Sequence, residues 1–128
     1  MSYMYQPDKE LFEEGVLLVR DFDSKIKCEL VGLYKTGNAK QIIPCIYKSI
    51  LSFKNGFARV IDLAGRLIYV SEDGERLFDQ ELPFVRELCE DFDQEGNASI
   101  ACLIEGVFVI KGHMNTDGEM LLEDYNEV

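Results

Sequence analysis

The sequence predicts an all-β fold built from three repeated antiparallel hairpin units, arranged as a curved, sandwich-like or partly closed sheet. Two recurring patterns carry this expectation. A Phe, two or three polar residues, a Gly and a β-rich run occur at Phe12-Glu13-Glu14-Gly15, at Phe53-Lys54-Asn55-Gly56 and at Phe92-Asp93-Gln94-Glu95-Gly96, with the glycines about forty residues apart. A short strand followed by a turn then recurs as Val31–Lys35 before Gly37, Leu67–Val70 before Asp73-Gly74, and Val107–Lys111 before Asp117-Gly118. Helical periodicity over ten or more residues is absent, apart from 7–14, where one short N-terminal helix of one or two turns could form.

Each unit reads in the same order. The Phe-x-x-Gly turn needs a glycine, either for positive φ or for close approach, before its strand begins. The first strand follows at Val16–Val19, Phe57–Val60 and Asn97–Ala101. A loop leads to the second strand, and an Asp-Gly pair predicts a tight hairpin turn because both residues tolerate positive φ. A last short apolar run closes the unit at 41–44, 76–79 and 120–123. Pro44 and Pro83 mark strand ends or sheet edges. A single unit cannot bury its own apolar face, so the units must share a core. The expectation is one domain over 1–128, with units near 12–52, 53–91 and 92–125.

Composition narrows the function classes. At 128 residues, with 47% apolar side chains, eight Phe and six Tyr, the chain is long enough to bury a core and has no disordered stretch. No apolar run reaches the ~20 residues of a membrane span, and 1–8 lacks the basic start and apolar stretch of a secretory signal. Cys28, Cys45, Cys89 and Cys102 form no C-x-x-C pair, which points to free thiols in a reducing compartment, so a cytoplasmic location is expected. Net charge is −11 and uneven: residues 1–64 carry nine basic and eight acidic side chains, residues 65–128 four and sixteen. The acidic half repels phosphates, so neither nucleic acid nor membrane is an expected partner.

No constellation predicts catalysis. Asp91-Phe92-Asp93-Gln94-Glu95-Gly96 imitates the opening of a calcium loop, but its twelfth position is Cys102 where a bidentate Glu is required. His113 sits in a predicted loop, and the cysteines lie in or beside apolar runs where a thiol packs and does not react. No phosphate-binding Gly-rich loop is present. The sequence therefore predicts a non-enzyme without cofactor or metal; a small ligand-binding barrel would need a pocket for which no residues stand out.

The repeat resembles the WG-repeat family of β-hairpin repeats. The residues that carry the resemblance are Val31-Gly32-Leu33-Tyr34, Gly37, Ile42-Ile43-Pro44 and Tyr47, followed by Phe53, Gly56 and Ala58-Arg59-Val60. The scheme can be laid over 12–122. The chain has no Trp. Val31, Leu67 and Val107 fall at the tryptophan positions, Gly32 alone keeps the paired glycine, and the third unit reads as carrying an insertion over 112–116. The resemblance implies a binding or scaffolding role without catalytic residues.

The acidic second half gives that role a direction. Carboxylates around an aromatic anchor suit a protein partner with a basic surface, because charge steers the encounter. The predicted contact residues are Glu72, Asp73, Glu75, Glu87, Glu90, Asp91, Asp93 and Glu95, while Phe92, aligned with Phe12 and Phe53, is expected in the core. An acidic inhibitor or immunity protein that neutralises a cationic nuclease toxin is the concrete form. A generic repeat scaffold whose acidity serves only solubility is the alternative. Exposed edge strands leave the oligomeric state open.

Overall fold

The computed structural model describes residues 2–37, 39–78 and 82–122. It is all-β, with ten strands, β1 Ser2–Tyr5, β2 Val16–Asp23, β3 Cys28–Lys35, β4 Lys40–Tyr47, β5 Ser49–Lys54, β6 Phe57–Ile61, β7 Leu67–Ser71, β8 Asn97–Ile104, β9 Phe108–Asn115 and β10 Met120–Leu122, and one 3-10 turn at Arg86–Leu88. All named strand pairs are antiparallel. The strands form three antiparallel sheets of hairpin strands, ordered β1-β2-β3-β4, β5-β6-β7 and β10-β9-β8, in keeping with the predicted all-β fold of hairpin units. The expected N-terminal helix is a single turn: Leu11 and Phe12 both donate backbone bonds to the Asp8 carbonyl, and the chain then runs straight into a bridge with Phe53. Chain paired that way has no second turn to give to a helix.

The three sheets share one plan. In each, a strand entering the Phe-x-x-Gly turn pairs with the strand leaving it, as β1 pairs with β2 and β5 with β6. In the third sheet the entering stretch 84–90 is irregular but still follows β8, through a Phe84–Cys102 bridge and bonds from Val85 N–H to Ala101 and from Glu90 N–H to Ser99. The fourth position belongs to β4, to Arg76-Leu77 and to β10. In the second sheet the described residues of this position form a bridge, Val70–Arg76, and a bond from Leu77 N–H to Tyr69.

One register position sets the second sheet apart. The residue four positions after the turn glycine pairs with Gly32 in the first sheet, Ile68 in the second and Gly112 in the third. A Cβ on Gly32 would stand 2.5 Å from the Ile43 carbonyl, and one on Gly112 2.4 Å from that of Leu121. The fourth strand therefore crosses directly over this residue, and only a glycine lets it through. In the second sheet Ile68 stands where the other two sheets have that glycine. The same register corrects the sequence alignment: Gly112 is a second paired glycine, 112–116 is no insertion, and Lys111 occupies the position of Val31.

The turns also differ from expectation. Gly65, Gly74, Gly96 and Gly118 have φ near +80°, while Asp73 and Asp117 keep ordinary negative φ. In each turn the glycine N–H bonds back to the carbonyl three residues earlier. The Oδ1 of Asp62, Asp93 and Asn115 accepts two further backbone N–H groups from its turn. These are side-chain-capped turns with a left-handed glycine at the end, not two-residue hairpin loops. Pro44 lies inside β4, where an edge position and the register shift beside Leu33 spare its missing N–H.

Alternation along β6 and β7 makes the second sheet the centre of the molecule. Ala58, Val60 and Val70 face the first sheet, packing with Leu18, Val31, Leu33 and Ile43. Ile61, Leu67 and Tyr69 face the third, packing with Phe92, Ala98, Ile100 and Met114. The turns dovetail in the same sequence: Gly74 lies against the Ile42 carbonyl of β4, and Gly118 against Phe78. Each unit thus rests its last turn on the closing segment of the unit before it.

The glycine crossing generates a test. Gly32→Ala is expected to lower stability by about 2 kcal/mol, because backbone of β4 and not a flexible side chain blocks the added methyl. Gly37→Ala, with no atom within 4 Å of its Cβ, is expected to change stability by under about 0.5 kcal/mol. Urea denaturation of both variants checks the contrast.

Candidate functional site

The three Phe-x-x-Gly turns meet. Phe12, Phe53 and Phe92 are buried, whereas Glu13, Glu14, Asn55, Asp93, Gln94 and Glu95 between each ring and its glycine are exposed. Gly15, Gly56 and Gly96 all take φ between +81° and +85°, which turns the chain sharply from buried ring to outgoing strand. Phe12 and Phe53 form a parallel bridge: Glu13 N–H donates to the Phe53 carbonyl at 3.0 Å and Phe53 N–H to that of Leu11 at 2.9 Å. Asn55, itself left-handed at φ 54°, joins all three turns. Its backbone N–H donates to the Glu13 carboxylate, and its Nδ2 donates to the Phe92 carbonyl at 2.6 Å.

The closing turn of the second sheet comes to the same place. Glu72 N–H donates to the Gly56 carbonyl at 3.0 Å, as Thr36 N–H does to Gly15 at 2.8 Å. Thr116 lies 3.5 Å from where a Gly96 Cβ would be. These contacts gather Glu13 and Glu14, then Glu72 and Asp73, then Asp93 and Glu95 along one rim. The first unit tempers it with Lys35 and Lys40, and the second contributes Lys54, so acidity grows toward the third unit. Among the described residues, Glu72, Asp73, Glu75 and Glu95 form no ion pair.

The eight residues expected to bind a partner separate into three groups. Glu72, Asp73, Glu75, Asp93 and Glu95 are exposed at or beside the rim. Asp93 gives one carboxylate oxygen to the N–H groups of Glu95 and Asn97, both at 2.9 Å, which shapes its turn. Asp91 does not face a partner. Its carboxylate accepts from Arg59 Nε at 2.9 Å and from the Ser52 hydroxyl, with only 17% of the side chain exposed. Arg59 also donates to the Cys89 carbonyl at 2.6 Å, and the Tyr69 hydroxyl to that of Glu90 at 2.8 Å. This polar cluster fastens the third unit to the second. Burial, followed by the neighbouring Cys89, drives the Tyr69 hydroxyl far above its ordinary value, so it remains a donor.

Glu87 and Glu90 form the third group, on the outer face of the third sheet. There they line a shallow recess of about 310 Å³ with Leu88, Ser99, Lys111 and His113. His113 is exposed on β9, not in a loop. Glu13 and Glu14 are the functional candidates that charge counting missed, because they lie in the near-neutral half. Their place in the Phe-x-x-Gly repeat was the available signal.

Chemically the rim offers carboxylates and little else. Among the described residues no three His, Cys, Asp or Glu side chains stand close enough to hold a metal. Burial raises the thiols of Cys45, Cys89 and Cys102 above their ordinary values, which suppresses the thiolate. Among the described residues no helix is long and apolar enough to cross a membrane.

The architecture defines a β-repeat protein: meandering antiparallel units joined at a common turn and stacked face to face. Residues 32–62 match the family model of the WG containing repeat, from the paired Gly32 through β4 and β5 to the end of β6. Over those residues the chain is similar to that repeat. No curated protein and no solved structure matches it.

The fastening cluster can be tested by a double-mutant cycle. Arg59→Met, which strands the Asp91 carboxylate against a mostly buried surface, is expected to cost roughly 3 kcal/mol. Arg59→Met with Asp91→Leu is expected to cost well under the sum of the two single changes. Additivity in chemical denaturation would show that the pair does not couple the units.

Proposed function

We propose that this protein is a non-catalytic protein-binding module whose acidic rim docks on the basic surface of a protein partner. The observation that carries the reading is the convergence of the Phe-x-x-Gly turns. It places carboxylates from three sequence-distant units, Glu14, Glu72 and Glu95 among them, on one exposed rim where acids outnumber the lysines. Like-signed charge at one edge costs stability through self-repulsion, so its natural use is to steer and hold an oppositely charged partner. In its concrete form the partner is a cationic nuclease whose nucleic-acid-binding surface the rim occupies, which would make this protein an inhibitor of the immunity type.

A second reading has its own observation. Val107 is 73% exposed, beside the exposed Phe108 and Val109 at the far tip of the third sheet. A scaffold that recognises its partner by shape would use that apolar tip, and salt would barely alter its affinity.

Partner capture from lysate at low salt, repeated at about 0.5 M salt where the Debye length falls to a few ångströms, separates the two. The rim reading expects a basic protein that salt releases. It further expects Glu72→Lys/Asp73→Lys/Glu95→Lys to slow association with that protein at least about tenfold, while Glu105→Lys at the opposite tip changes it little. Unchanged association in the triple variant would contradict the reading.

A further inference from the structure

The three sheets stack in sequence, each presenting one face to the next. On the second sheet that face carries Arg59, Ile61, Leu67 and Tyr69, all covered by the third unit. The equivalent face of the third sheet carries Ser99, Ala101, Lys111 and His113, because Ser99 pairs with His113 and Ala101 with Lys111 just as Arg59 pairs with Tyr69 and Ile61 with Leu67. Ala101 is buried there, while Ser99, Lys111 and His113 are exposed. Polar residues at these positions rule out a fourth apolar layer of the same kind. They also form an ordered pattern across the sheet.

That pattern is self-complementary. Glu87 and Glu90 lie along the edge formed by 84–90, β8 carries Ser99 and Leu103 in the middle, and β9 carries Lys111 and His113 beyond them, with Leu121 of β10 outermost. A two-fold rotation about an axis through the middle of the face lays the acidic edge of one copy over Lys111 of another, twice over. The exposed Leu88, Leu103 and Val109 supply apolar contact between the two rows. Glu87 has an internal partner, Arg86 at 3.3 Å, but both side chains are at least half exposed, so that neighbouring pair holds it weakly.

We propose that the outer face of the third sheet is an isologous docking surface for a second copy of this chain, with Glu87 and Glu90 of each copy opposite Lys111 of the other. It continues the stacking direction of the units, and the match of charge selects this occupant over an apolar partner. A face of three strands and one irregular edge stretch, spaced about 4.8 Å apart, is small for an interface, so the dimer is weak and forms in the micromolar range. The net charge of −11 per copy opposes it at long range. At about 0.15 M salt that repulsion is screened beyond about 8 Å, while opposed charges in contact persist.

The test is a charge swap followed by sedimentation at protein concentrations up to about 200 µM. The intact protein is expected to dimerise. Lys111→Glu alone, and Glu87→Lys/Glu90→Lys alone, are each expected to weaken self-association at least about tenfold, since both place like charges opposite each other twice. An equimolar mixture of the two variants is expected to restore the dimer, because every opposed pair in the mixed species is again acid against base. A monomeric intact protein, variants that dimerise as well as the parent, or a mixture that stays monomeric would each overturn the proposal. Unchanged circular dichroism spectra of these surface variants exclude misfolding as the cause.

Discussion

Everything in this molecule depends on a sheet that is apolar on both faces. β6 and β7 alternate, yet neither set of their side chains can face water: Val60 and Val70 point one way, Leu67 and Tyr69 the other, and all four are almost fully buried. A three-stranded sheet with two apolar faces has no stable existence alone, and each fully buried aliphatic side chain contributes on the order of 2 kcal/mol only when both flanking layers are present. The outer sheets are therefore required by the middle one. Arg59, reaching from that middle sheet to Asp91 and Cys89, and Asn55, reaching to Glu13 and Phe92, set the orientation in which the layers meet.

Much of this was legible in the sequence. The Phe-x-x-Gly spacing located the three turns, and the buried rings of Phe12, Phe53 and Phe92 follow from it. What stayed hidden has physical causes. The strand entering each turn, β1 or β5 or the stretch 84–90, carries no repeated signature, because its pairing partner is set by the turn and not by its own residues. The apolar run Val107–Ile110 drew the register of the third unit four residues early, because it reads as core and is largely an exposed tip. The glycine that governs the fourth strand can be recognised only when the neighbouring carbonyl is seen 2.4 Å from its missing Cβ. The Asp-Gly pairs were read for positive φ at both residues, whereas a capping side chain at the turn's first position lets glycine alone take that conformation.

The candidate site was half legible, and the error is instructive. Counting acids put all eight contact residues into one class, but a carboxylate acts according to what it touches. Asp91 is an internal anchor, Asp93 shapes a turn, and Glu87 and Glu90 belong to another face altogether. The rim that remains draws Glu13 and Glu14 from the half of the chain that looked neutral. A repeat fold explains why: equivalent turns converge in space, so charge adds across units that are distant in sequence. The same convergence supplies a rigid base for the rim, since each acidic turn leaves a buried Phe and is tied to the next by backbone bonds.

Native-state hydrogen exchange tests the central claim, that the middle sheet is the element on which the others depend. The account predicts that amides of β6 and β7 exchange most slowly and only through global unfolding, while β1 and β10, short edge strands of the outer sheets, open first by local fraying. If β6 and β7 instead exchanged by local opening while β2–β3 or β8–β9 stayed protected, the outer hairpins would be independent units, and the stacked account would be wrong.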